Sequence, residues 1–175
     1  MTPGLRKFML TVHLTFSVGW IGAVVAYLAL GVSAVTSQDV QTVRAAWIAM
    51  ELIGWYAIVP LALASLLTGL VMSLGTKWGL FRYFWVLITF VLAVFATTIL
   101  LQHMPDVSSI AELAREANAA DLGGLGGDFF HAGGGLLVLL VIMVLNVYKP
   151  PGLTSYGWRK QYEERKVSPD VDTTT

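Results

Sequence analysis

The sequence predicts an all-α integral membrane protein, an up-down four-helix bundle with both termini cytoplasmic. Three observations predict it. First, hydrophobic residues make up 56% of the 175 residues and charged residues only 13%. Second, four stretches, 8–38, 52–76, 83–105 and 129–148, contain no Asp, Glu, Lys or Arg. Each reaches the roughly 20 residues that a helix needs to cross a hydrocarbon core of about 30 Å. Third, the basic residues are unevenly placed. With the N-terminus inside, Arg6, Lys7, Lys77, Arg82, Lys149, Arg159, Lys160, Arg165 and Lys166 fall in cytoplasmic segments, and only Arg44 and Arg115 fall outside. That is the positive-inside pattern.

Span 1 covers about 8–33. Arg6 and Lys7 precede it and Val32-Ser33-Ala34 has the form of a signal cleavage site, but the apolar run far exceeds the roughly 7–15 residues of a signal-peptide core. Span 2 covers 52–75 and contains Pro60, which is expected to kink it. Trp47, Trp55 and Tyr56 mark its outer interface, and Trp78, Tyr83, Trp85 and Tyr148 mark the inner one. Pairs of small residues four apart, Gly19/Ala23, Gly22/Ala26, Ser65/Gly69 and Gly69/Ser73, allow close helix approach in lipid. Span 3 covers 82–103.

The second outer loop carries its own signal. Ser109-Ile110-Ala111-Glu112 fits a capping box, and Ile110, Leu113, Ala114 and Ala117 share one helical face. A short amphipathic surface helix is expected there, ended by the glycine-rich hinge 123–127. The loop is acidic, with Asp106, Glu112, Glu116, Asp121 and Asp128 against Arg115. Span 4 covers 129–148, and Tyr148-Lys149-Pro150-Pro151-Gly152 stops it. Residues 1–157 thus form the membrane domain, and 158–175 a polar cytoplasmic tail expected to be disordered.

The absence of cysteine excludes disulfides and thiolate metal sites, and zero net charge gives no reason to expect nucleic-acid binding. The charge-free runs that form the membrane-embedded parts contain no Lys, Arg or Asp, and the acid nearest a span is Glu51 at the outer edge of span 2, which argues against ion-coupled active transport. The chemistry-bearing residues are three histidines. His103 closes span 3 and His131 opens span 4, so antiparallel neighbours bring them to one depth near the outer surface. His13 lies toward the inner end, with Ser17 and Trp20 on its face.

Two histidines facing each other in a membrane bundle are the ligand set of a bis-histidine haem b. Gly134 and Gly135 stand three and four residues after His131, where a side chain would collide with a macrocycle. Alternatively, His103 and His131 with Glu51, Asp128 or Met104 could hold copper or another divalent metal such as zinc. His13 would be a second or alternative haem ligand, its partner coming from another subunit or from a residue other than histidine. Beside both stands a cofactor-free structural or accessory subunit whose histidines only cap helix ends.

His13-Leu14-Thr15-Phe16-Ser17-Val18-Gly19-Trp20-Ile21-Gly22 resembles the H-x6-W-x-G opening of small membrane proteins related to the copper-resistance D superfamily. His131-Ala132-Gly133-Gly134-Gly135, followed by Lys149-Pro150-Pro151-Gly152-Leu153-Thr154-Ser155-Tyr156-Gly157, is similar to the end of a bacterial family of four-span proteins without an assigned activity. The resemblance covers about 8–157. It implies a multi-pass protein of the bacterial plasma (inner) membrane, within a superfamily linked to copper uptake and to haem b binding. The first motif's histidine corresponds to His13. Copper-resistance D proteins are longer, with further methionine and histidine ligands that this chain lacks. The expected reading is therefore a haem b protein with an electron-transfer or redox role, and copper binding or transport as the alternative. Its partners are the lipid bilayer and, beyond it, a second copy or a redox partner protein.

Overall fold

The computed structural model describes residues 1–76, 79–116 and 129–167. All its named elements are helical: α1 (Pro3–Thr36), α2 (Val40–Ile53), a π-helical turn (Gly54–Ile58), α3 (Val59–Gly75), α4 (Phe84–Glu116), α5 (Phe129–Tyr148) and α6 (Ser155–Val167). Since α2, the π turn and α3 run on without a break, the chain forms four columns. Each is long and apolar enough to cross a membrane. The column order around the bundle is α1, α2–α3, α4, α5, with α5 closing back onto α1. One end of the bundle, here the tail end, holds Pro3, Gly75, Phe84 and Tyr148, and the far end holds the opposite helix termini.

Local chemistry sets the helix limits. The Thr2 hydroxyl accepts from the Leu5 N–H at 3.4 Å and Pro3 takes the first helical turn, where its missing N–H costs nothing. Asp39 caps α2 by accepting from the Gln41 and Thr42 N–H groups at 3.3 and 3.0 Å. That cap starts the second column at Val40, a dozen residues before the charge-free run begins at 52. Pro60 is expressed as a π turn rather than as a simple kink. Its ring would clash with the carbonyl of Tyr56 in an unbroken α-helix, so the chain widens across 54–58 and the Val59 N–H bonds to the Gly54 carbonyl.

Span 3 also runs on. Among the described residues no separate surface helix follows His103: α4 continues through Pro105 to Glu116. The Ser109 hydroxyl, expected to cap a new helix, donates back to the Pro105 carbonyl at 3.0 Å inside this one. The buried face is Met104, Val107, Ala111 and Ala114, at the alternating three- and four-residue spacing of helix packing. Leu113, expected to share the buried face with Ala114, is exposed. This segment packs on α2 through Val43, Ala46, Trp47 and Met50, so Trp47 is a core residue and not an interfacial one. Arg44 closes the contact by donating to the Ala114 carbonyl at 2.9 Å, which satisfies an end group of α4. Ala117, Asp121, Asp128 and the 123–127 hinge lie outside the described residues, as do Lys77 and Trp78.

The tail is helical over Ser155–Val167, where composition predicted disorder from 158 on, and 168–175 lie outside the described residues. It is ordered because 152–157 docks on the turn between α3 and α4. The Phe84 N–H donates to the Gly152 carbonyl at 3.2 Å and the Thr154 N–H to the Arg82 carbonyl at 3.1 Å. The Thr154 hydroxyl donates to the Phe81 carbonyl, and Arg82 grips Glu164 with both terminal nitrogens. Gly79, at φ +57°, makes that turn.

Candidate functional site

His103 and His131 come together as span pairing predicted. Their rings stack with centroids 4.0 Å apart and planes 22° from parallel. His103 sits one position before the buried Met104, and its Nδ1 lies 3.6 Å from an Asp106 carboxylate oxygen. His131 stands two residues inside α5, with Phe130 edge-on beside it.

The pair lines a cavity of about 280 Å³ between α1, α4, α5 and Ile58 of the π turn. Its walls are apolar and mainly aliphatic, with aromatic rings contributed by Trp20 and Tyr27 from α1 and Phe95 from α4. Phe95 and Phe130 are exposed at its rim, so it opens on a flank that the bundle leaves uncovered. Gly134 and Gly135 line it. A Cβ added at Gly133, Gly134 or Gly135 meets nothing within 4 Å, so these glycines make no close helix contact.

The other candidates are employed elsewhere. His13 is far from this pair: its Nδ1 is 2.9 Å from the Thr68 hydroxyl of α3, and its ring lies over Gly69, whose absent Cβ would stand 3.1 Å from His13 Cε1. One turn further on, Ser17 meets Ser65 at 2.8 Å. The spacing Ser65/Gly69 thus seats polar side chains of α1. Glu51 is held by Arg115, which also binds Glu112 at 2.8 Å. Met104 does line the cavity, with its thioether against Gly54.

This geometry does not fit a bis-histidine haem. Such ligands approach the iron from opposite faces of a flat macrocycle, whereas rings stacked at 4.0 Å leave no space for a plate between them. Volume gives the same answer. A cavity of about 150 Å³ takes up benzene, and scaling by ring atoms a porphyrin core needs about four times that, roughly 600 Å³. The residues lining the 280 Å³ cavity also include no Lys or Arg to pair with haem carboxylates. Nor does the pair chelate. Imidazole lone pairs lie in the ring plane, so two near-parallel rings aim theirs side by side instead of at one ion. Among the described residues no group of three or more His, Asp or Glu side chains is placed to hold a metal.

Sequence reasoning found the histidines and glycines and missed Trp20, Tyr27, Phe95 and Phe130 as walls. Comparison with known proteins finds no family model, no curated protein and no solved structure that matches this chain.

Proposed function

We propose that this multi-pass membrane protein binds a small lipid-soluble molecule, taken up sideways from the bilayer into the cavity between α1, α4 and α5. The observation that carries the reading is an apolar cavity that opens on an exposed helix flank and is lined by a stacked histidine pair. Apolar walls draw in an apolar body, and a few convergent polar groups fix its orientation. The histidines are polar groups of this kind, and the Tyr27 phenol also lines the cavity. The charge bias of the sequence favours the tail end on the cytoplasmic side, which would turn the histidine end outward.

The test is an extraction. The protein purified from its membrane in mild detergent is stripped with organic solvent and the extract analysed by mass spectrometry. The variant carrying Gly134→Leu and Gly135→Leu, whose new side chains fill the cavity, is treated in parallel. A compound enriched with the wild type and depleted with the variant supports binding. Identical extracts from both refute it.

A further inference from the structure

We infer that the molecule is a quinone-class compound, a neutral flat ring carrying hydrogen-bonding oxygens, with its apolar tail left in the lipid. This inference rests on the lipid-soluble ligand proposed above and narrows it by three features of the cavity.

The first is size. At about 280 Å³ the space exceeds the roughly 150 Å³ that accepts benzene and falls well short of a porphyrin's need. It takes a substituted single or fused double ring. A long tail has to leave through the open side, past Phe95 and Phe130.

The second is the shape and chemistry of the walls. Trp20, Tyr27 and Phe95 offer aromatic faces and edges, which favour a flat ring over a saturated chain. Among the described residues no Lys or Arg lines the space, so a carboxylate or phosphate inside it would be a buried charge without a cationic partner there. The ring is therefore neutral.

The third is the histidine pair. A neutral imidazole carries one N–H donor and one acceptor nitrogen, so a pair of them can donate to a carbonyl oxygen or accept from a hydroxyl. That matches both a quinone and its quinol, which present oxygen at the same positions with and without a hydrogen. A hydrocarbon ring would gain nothing from the histidines. Asp106 faces His103 from its own helix and is not among the described residues that line the cavity.

The experiment uses the full-length protein in detergent and two probes with the same tail, decylubiquinone and decylbenzene. Binding is read by quenching of tryptophan fluorescence for the quinone and by competition against it for the hydrocarbon. The wild type is expected to bind decylubiquinone at least tenfold more tightly than decylbenzene. Replacing His103→Phe together with His131→Phe keeps two stacked flat rings and removes their hydrogen bonds. That variant should lose the tenfold preference and retain the decylbenzene affinity. Gly134→Leu with Gly135→Leu should weaken both probes, whereas Gly133→Leu, whose residue does not line the cavity, should weaken neither. Equal affinity for the two probes in the wild type overturns the quinone inference and leaves the lipid-soluble ligand standing. Failure of both probes overturns both. A Soret band in the purified protein overturns the size argument and restores haem.

Discussion

Gly157→Ala should release α6 from the bundle and leave the four columns intact. A Cβ at this position would lie 2.3 Å from the Arg82 carbonyl oxygen and 3.0 Å from Leu153 Cδ2. Ordinary C···O approach stops near 3.3 Å, so about 1 Å of overlap must be relieved. The carbonyl cannot simply retreat, because it accepts the Thr154 N–H at 3.1 Å. Relief therefore breaks the clasp that joins 152–154 to 81–84. That clasp has three hydrogen bonds, from the Phe84 N–H, the Thr154 N–H and the Thr154 hydroxyl, each contributing about 1 kcal/mol net. A loss of about 2–3 kcal/mol raises the undocked fraction roughly 30- to 150-fold. Limited trypsinolysis at Arg159 and Lys160 reads that fraction directly when redocking is faster than cleavage. The variant should be cut faster by that factor while its thermal midpoint in detergent barely moves. Gly152→Ala is the control, since its Cβ would stand an ordinary 3.7 Å from Phe84 Cδ2. Cleavage of Gly157→Ala at the wild-type rate, or equal acceleration by Gly152→Ala, would refute the reasoning.

The same joint should respond to acid. The hydrogen bond from Arg82 holds the Glu164 carboxyl below its ordinary pKa. A depressed carboxylate pKa contributes stability that is full above the unfolded value, about 4.3, and is lost as pH falls through the folded one. Hydrogen exchange of α6 amides, corrected for intrinsic rates, should therefore lose protection below about pH 4. Glu164→Gln should show no such step, and a step that persists in it would reject the assignment. In the bundle, Gly69→Val should destabilise by about 1–3 kcal/mol by overpacking, because the new side chain meets the ring of His13. Gly22→Val has open space around it and should be near neutral. Denaturation of both variants in detergent mixtures checks the contrast, and equal losses would count against the His13–Thr68 seat.

Four columns were legible because an uncharged run of about 20 residues has few soluble fates. Their ends were less so. Residues 104–116 are polar on one side, and polarity made them read as a loop with a surface helix. Met104, Val107, Ala111 and Ala114 already carried the continuing helical stripe, but small alanines give it little apolar weight. The pairing of His103 with His131 followed from antiparallel geometry alone. Their stacking did not, since it depends on ring rotation and on which way each helix faces. The tail read as disordered because its order comes from a clasp of backbone groups, and backbone hydrogen bonding leaves little trace in side-chain composition. Gly157 was the trace: a glycine beside a foreign carbonyl.

The three glycines of α5 bear on whether the cavity is a by-product of loose packing. Glycine costs about 1 kcal/mol relative to alanine at a helix interior position, so three together forgo about 3 kcal/mol. Close helix contact would justify that loss, as it does at Gly69. At 133–135 it cannot, because a Cβ at any of the three would touch nothing within 4 Å. What glycine clears at 134 and 135 is the cavity beside His131. Substituting alanine at both should therefore stabilise the protein, by up to about 2 kcal/mol, and weaken ligand binding at the same time. That opposition is the signature of a site kept open at the expense of stability. Should alanine instead stabilise the helix with no loss of binding, the glycines would not be keeping the cavity clear, and the histidine pair would have to hold its ligand elsewhere.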